Sequence, residues 1–95
     1  MKVRKILIVD DEPDIRLIGQ VSLRDLGGWE VLLAASGEQA LDLVASEHPD
    51  LILLDVMLPG MDGRAILAKL KADPAFQGIP VLFLTAKAAY DDTVD

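Results

Sequence analysis

Four residues could do chemistry together: Asp10, Asp11, Asp55 and Thr85. Each follows a short apolar run. Lys5-Ile6-Leu7-Ile8-Val9 leads to the Asp10-Asp11 pair, Leu51-Ile52-Leu53-Leu54 to Asp55, and Ile79-Pro80-Val81-Leu82-Phe83-Leu84 to Thr85. Alone, an Asp after such a run reads as a turn cap, and Pro59, Gly60 and Gly63 close behind Asp55 suit a turn. If the runs are parallel strands, however, all four residues fall at one sheet edge, where ligands of open α/β sheets bind. Three carboxylates gathered there repel one another unless a cation intervenes. A hard divalent ion with oxygen ligands resolves this, and Mg²⁺ is preferred where carboxylates, waters and a phosphate complete an octahedron. A carboxylate beside such an ion can attack phosphorus to give an acyl phosphate, with the metal offsetting charge on the transferring group. The Thr85 hydroxyl would serve a phosphate oxygen, and the small Ala86 leaves the approach to Asp55 open.

The elements that must position these residues follow from the pattern. Lys5–Val9 predicts a first strand, apolar on both faces. Pro13, with an acidic residue before it, suits a helix start. A first helix is expected from about Asp14 to Leu26, with Ile15, Leu17, Ile18 and Val21 towards the core and Gly27-Gly28 as the stop. Trp29 to Ala34 predicts a second strand. Ser36-Gly37-Glu38-Gln39 fits a capping box, opening a second helix carried by Ala40, Leu41, Leu43 and Val44. His48-Pro49 breaks it, and a third strand runs from Asp50 to Asp55. Asp62 caps a third helix carried by Ala65, Ile66, Leu67 and Leu70, which Asp73-Pro74 ends. Residues 79–84 predict a fourth buried strand, with Pro80 tolerable near its start, and Tyr90 to Asp95 the opening of a fourth helix. Strands alternating with helices imply right-handed crossovers and a parallel sheet.

Composition narrows the function. Ninety-five residues, half of them apolar, make one domain with enough hydrophobic side chains for a core. Nine basic against sixteen acidic residues give a net charge of −7, which argues against direct nucleic-acid or anionic-membrane binding and permits a cation site. The absence of cysteine excludes disulfides and thiolate metal sites. No window reaches the roughly 18 unbroken apolar residues of a membrane span, and the apolar run after Met1-Lys2-Val3-Arg4-Lys5 is too short for a signal peptide. A soluble cytoplasmic protein is the expectation.

Asp10-Asp11 after the first strand, Asp55 after the third, Leu58-Pro59 with Asp62-Gly63, and Thr85-Ala86 after the fourth occur in order and on the right elements. In that combination the chain resembles a response-regulator receiver domain of two-component signalling, over all 95 residues. The resemblance implies a flavodoxin-like doubly wound parallel sheet with strand order 2-1-3-4-5. It implies Asp55 as phosphoacceptor, taking its phosphoryl group from a phosphohistidine on a sensor kinase or phosphotransfer protein. Asp11, Asp55 and the backbone carbonyl of Met57 would bind Mg²⁺ directly, and Asp10 mainly through water. Thr85 would be the switch hydroxyl, shifting the population of the loop and helix after the fourth strand. An effector domain would belong to the parent protein.

The family pattern continues through a fifth strand with an aromatic switch residue, a Lys that pairs with the phosphoryl group, and a fifth helix. This sequence stops at Asp95, so it reads as residues 1–95 of a C-terminally truncated receiver: four strands, three full helices and the start of a fourth. Lys87 is read as surface rather than as that Lys. An open fourth-strand edge is expected to make the chain oligomeric. An alternative is a chain that acts only as an interaction or oligomerisation module with weak phosphotransfer. A Mg²⁺-dependent phosphohydrolase with an aspartyl nucleophile is disfavoured, because Met57 stands where such enzymes carry a second Asp. His48 is alone and lacks the partners of a metal site. Met57 and Met61 side chains read as packing, Trp29 as cover beside the first helix, and Asp91, Asp92 and Asp95 as a solvated helix start.

Overall fold

The apolar runs become four parallel strands of one sheet. The computed structural model describes residues 2–56, 58 and 62–84. The elements are β1 (Lys5–Val9), α1 (Pro13–Gly27), β2 (Glu30–Ala34), α2 (Gly37–Glu47), β3 (Leu51–Asp55), α3 (Gly63–Ala72) and β4 (Val81–Leu84). The strand order is β2-β1-β3-β4, every neighbouring pair parallel. This is the flavodoxin-like arrangement expected, with β2 and β4 at the edges among the described residues. Met57, Pro59, Gly60, Met61 and everything from Thr85 onward, including Ala86, Lys87 and the expected fourth helix, lie outside the described residues.

Strand side chains alternate between faces, and the two faces are unequal. Leu7, Val9, Ile52 and Leu54 point to one, where Ala40 and Val44 of α2 and Ile66 and Leu70 of α3 pack on them as a single buried cluster. Ile6 and Ile8 point to the other, and α1 covers them. There Gly19 lets the helix approach so closely that a Cβ would stand 2.7 Å from Ile8 Cδ1.

The phase of α1 corrects one expectation. Its half-buried stripe is Arg16, Gly19, Gln20 and Leu23, and no residue of the helix is fully buried. Ile15, Leu17, Ile18 and Val21 are instead 40%, 58%, 62% and 49% exposed. The glycine selects the contact line, because the side without a side chain allows the closest approach to β1. The apolar stripe beside it is rotated away, with α2 and α3 on the opposite face. For the same reason β4 is not the buried strand anticipated. Leu82 lies on the α1 face at the sheet edge, beyond the strands α1 covers, and is 56% exposed.

Local chemistry sets the ends. Gly28, at φ 65°, caps α1 in the left-handed region that glycine tolerates, and the Trp29 ring lies against Gly27. At α2, Ser36 Oγ accepts from the Gln39 N–H at 3.2 Å, while Gln39 Oε1 accepts from the Ala35 N–H at 2.8 Å. The reciprocal cap thus holds, displaced by one residue on its return leg. His48 ends α2 at φ 49°, its ring tilted against Phe76 at 5.8 Å.

At the start of β3 the Asp50 carboxylate accepts both the Arg4 and the Lys5 N–H at 3.0 Å, and Asp50 N–H donates to the Lys5 carbonyl at 2.8 Å. These backbone donors hold the Asp50 carboxyl below its ordinary value. Because the folded value lies below the unfolded one, the carboxylate stabilises the fold above the ordinary carboxyl range, around pH 4. That contribution is lost as pH falls through the folded value. Asp50→Asn should therefore lower Tm at pH 7, and thermal melts of the two proteins should converge below about pH 4.

Candidate metal and phosphoacceptor site

The β1–β3 register brings the acidic residues together. Val9 pairs with Leu54, so the next residue of each strand path is Asp10 and Asp55. Both are buried, each only 3% exposed, and Asp11 is half-buried. One carboxylate oxygen from each of Asp10, Asp11 and Asp55 lies within 4.8 Å of the others. Asp11 Oδ1 and Asp55 Oδ2 lose their solvent exposure entirely.

The turn after β1 is built by backbone chemistry. Asp10 N–H donates to the Ala34 carbonyl at 3.0 Å, extending the β1–β2 ladder past the strand. Asp10 Oδ1 accepts the Glu12 N–H at 2.9 Å, an Asp turn that bends the chain into α1. Glu12 is the N-cap by position, with Pro13 following, yet its side chain makes no capping hydrogen bond. The acidic cap expected before Pro13 is therefore not made; Asp10 shapes the turn ahead of the helix instead. Arg16, from the half-buried stripe of α1, donates from Nη1 to the Asp10 carbonyl at 2.8 Å. An Arg five residues after an acidic pair carried no distinct signal in the sequence, since only the turn geometry points its side chain back at the main chain.

On the other side, Asp62 caps α3 by accepting the Arg64 N–H at 2.7 Å. The Gly63 N–H reaches back to the Val56 carbonyl at 2.8 Å, closing the loop after Asp55. Leu58 is buried in the core cluster. Of the sequence-predicted site residues, the structure unites Asp10, Asp11 and Asp55; Thr85 and Met57 lie outside the described residues. The residue paired with Asp55 in β4 is Leu84, which precedes Thr85 directly.

A cleft of about 630 Å³ opens elsewhere, lined in part by Lys2, Arg4, Trp29, His48 and Asp50. It sits at the opposite ends of the strands, and none of the three carboxylates lines it. The three carboxylates gather instead at the other ends of the strands.

Three carboxylates this close favour a hard cation with oxygen ligands. With Mg²⁺–oxygen distances of about 2.1 Å, oxygens on opposite sides of one ion stand about 4.2 Å apart. A spacing within 4.8 Å is therefore compatible with two carboxylates on the ion and a third reaching it directly or through water. In the absence of divalent cations the same crowding costs stability, by roughly 1–4 kcal/mol per pair at 4 Å between the limits of bulk water and a protein surface. Asp55→Asn should therefore raise Tm in EDTA, and the gain should shrink or reverse once Mg²⁺ is added, as read by thermal melts.

Residues 6–95 match the family described as the response regulator receiver domain. Among curated relatives, the response regulator Rre1 of Synechocystis is 42% identical over 89 residues, covering 94% of this chain and 38% of that protein. The phosphate regulon regulator PhoB of Pseudomonas aeruginosa is 43% identical over 91 residues, covering 96% of this chain and 39% of that protein. The chain thus spans well under half the length of these relatives. Among solved structures, a response regulator receiver from Methanoculleus marisnigri superposes with a TM-score of 0.82 at 38% identity, covering 97% of this chain and 78% of that one. The receiver domain of a Pseudomonas aeruginosa sensor histidine kinase, solved with magnesium coordinated in its active site cleft, has a TM-score of 0.83 at 32% identity, covering 99% and 76%. With its parallel β2-β1-β3-β4 sheet and its acidic cluster at the ends of β1 and β3, this chain belongs to the receiver domains of response regulators, the phosphoacceptor domains of two-component signalling.

Proposed function

We propose that Asp55 is the phosphoacceptor of this receiver and that it holds Mg²⁺ together with Asp11, with Asp10 acting mainly through water. The observation that carries the reading is the meeting of three carboxylates within 4.8 Å at the end of a buried strand pair. The magnesium-bound receiver among the similar structures supports the choice of ion. When bound, Mg²⁺ supplies charge neutralisation for the transferring phosphoryl group. A carboxylate oxygen of Asp55 attacks phosphorus of a phosphohistidine on a sensor kinase or phosphotransfer protein. The P–N bond breaks, its electron pair stays on the imidazole nitrogen, and an aspartyl phosphate forms on Asp55. Burial at 3% exposure keeps bulk water from competing for that carboxyl. Asp10 holds the turn through the Glu12 N–H, and so sets where Asp11 points.

The Met57 carbonyl is proposed as a further ligand, and Thr85 as the hydroxyl that takes up the phosphoryl group. The support for Thr85 is its place in sequence immediately after Leu84, the strand partner of Asp55. The domain would act in the cytoplasm as a regulatory phosphoacceptor rather than a turnover enzyme, and pass its state to an effector domain of the full protein. No described helix is long and apolar enough to cross a membrane.

Acetyl phosphate with Mg²⁺ should add about 80 Da, one phosphoryl group, to the wild-type chain by intact mass spectrometry. Asp55→Asn should abolish the gain, and a gain that survives this substitution contradicts the site. Failure of the wild type to gain mass favours the interaction-module reading, and hydrolysis of many phosphoester molecules per chain favours the phosphohydrolase.

The place of β4 at the edge of the sheet among the described residues, and the exposed apolar Leu82, Ile18 and Val21, support a second property, self-association through that edge and face. Light scattering should then give a mass above that of the 10.3 kDa monomer. A monodisperse monomer that melts cooperatively would rule it out.

A further inference from the structure

The end of β3 is held by more than its neighbouring strands. The chain leaves Asp55, passes through the loop, and returns as the first turn of α3, where Gly63 is buried. A Cβ at Gly63 would stand 2.5 Å from the Asp55 carbonyl oxygen, 2.9 Å from Val56 Cα and 3.2 Å from the Asp55 carbonyl carbon. These are backbone atoms of the strand that carries the carboxylate, so they cannot swing aside as a side-chain tip can. At Gly19 the single close neighbour is such a tip, Ile8 Cδ1 at 2.7 Å. Nor can α3 retreat easily, because Ile66 and Leu70 are sunk in the core at 1% and 2% exposure. The 2.8 Å bond from the Gly63 N–H to the Val56 carbonyl ties the two segments at the same place.

We propose that Gly63 is a positioning residue for Asp55. Its lack of a side chain lets α3 rest on the Asp55–Val56 peptide, and this contact sets where the Asp55 carboxylate stands relative to Asp10 and Asp11. The proposal rests on the reading of these three carboxylates as the Mg²⁺ site. A methyl at this point must push the peptide, the helix or both by several tenths of an ångström. Mg²⁺ demands a near-ideal octahedron at about 2.0–2.1 Å, whereas Ca²⁺ accepts looser geometry at about 2.3–2.6 Å. A displaced Asp55 therefore costs Mg²⁺ affinity more than Ca²⁺ affinity, which a general loss of stability would not do.

The test titrates Mg²⁺ and Ca²⁺ into the wild type, Gly63→Ala, Gly19→Ala and Val44→Ala by calorimetry, well below each Tm, and records metal-free amide spectra. Gly63→Ala should weaken Mg²⁺ binding about tenfold or more, the scale of lost outer-shell support, weaken Ca²⁺ binding less, and shift the Asp55 and Val56 amide resonances. Gly19→Ala should bind Mg²⁺ as the wild type does, and so should Val44→Ala, a buried core change on α2, despite a lower Tm. Wild-type Mg²⁺ affinity in Gly63→Ala overturns the proposal, as does an equal loss in Val44→Ala. If the wild type binds no Mg²⁺, the metal-site reading fails by itself. The metal-free spectra then decide: shifted Asp55 and Val56 amides uphold the positioning contact, and unshifted ones overturn it. If Gly63→Ala does not fold, hydrogen exchange of the wild-type Gly63 amide decides. By linkage, Mg²⁺ should slow it relative to the Leu70 amide, and equal exchange with and without Mg²⁺ overturns the proposal.

Discussion

Everything at the site depends on the in-register pairing of β1 with β3. The two strands run parallel from Ile6↔Leu51 to Val9↔Leu54, and parallel strands in register end at the same level. Asp10 and Asp55, 45 positions apart in the sequence, thereby become neighbours at one edge. A shift of one residue would turn every side chain of β3 to the other face, exchanging Ile52 and Leu54 of the core for Leu51 and Leu53 and moving Asp55 away from Asp10. The register is guarded at the far end by Asp50, which binds the Arg4 and Lys5 backbone and so fixes where the pair begins. One acidic residue thus aligns the strands whose other ends gather the acidic cluster.

The cluster opposes the forces that build the rest of the domain. Burying carboxylates side by side is unfavourable unless a cation or hydrogen bonds offset the charge. The structure bears this because the neighbouring packing is dense. Leu7, Val9 and Leu54 are fully buried beneath the site, and α2 and α3 clamp that face of the sheet. That face is closely packed beneath the acidic cluster, and the face under α1 is less covered. Only a half-buried stripe of α1 meets β1 and β2, and Leu82 on β4 stays open. Among the described residues the sheet is therefore packed most closely beneath the acidic cluster and more open on its opposite side.

Much of the architecture was legible in the sequence, since it depends on local signals. Unbroken aliphatic runs marked strands β1 and β3, and Gly28, Ser36 and Asp62 marked helix ends by chemistry that acts within a few residues. The meeting of the Asp10-Asp11 pair with Asp55 was legible because topology rules bring the ends of parallel strands to one edge. The phase of α1 was not. Its apolar residues Ile15, Ile18 and Val21 suggested an inward stripe, but the contact line is Arg16, Gly19, Gln20 and Leu23. Helical periodicity records which residues share a side; it does not record that a glycine allows closer approach than an isoleucine. The burial of β4 was overestimated for a related reason: an apolar strand at a sheet edge reads the same as one at its centre.

The sequence by itself determined the order of elements, the parallel sheet and the identity of the acidic residues, because these follow from composition and from signals a few residues long. Only the tertiary structure decided that the three carboxylate oxygens lie within 4.8 Å. The same holds for the Arg16 guanidinium at the Asp10 carbonyl and for Gly63 against the backbone of Asp55. These are contacts between segments distant along the chain. Their distances are set by register and by how closely two backbones can approach, and neither quantity is written in any single stretch of residues.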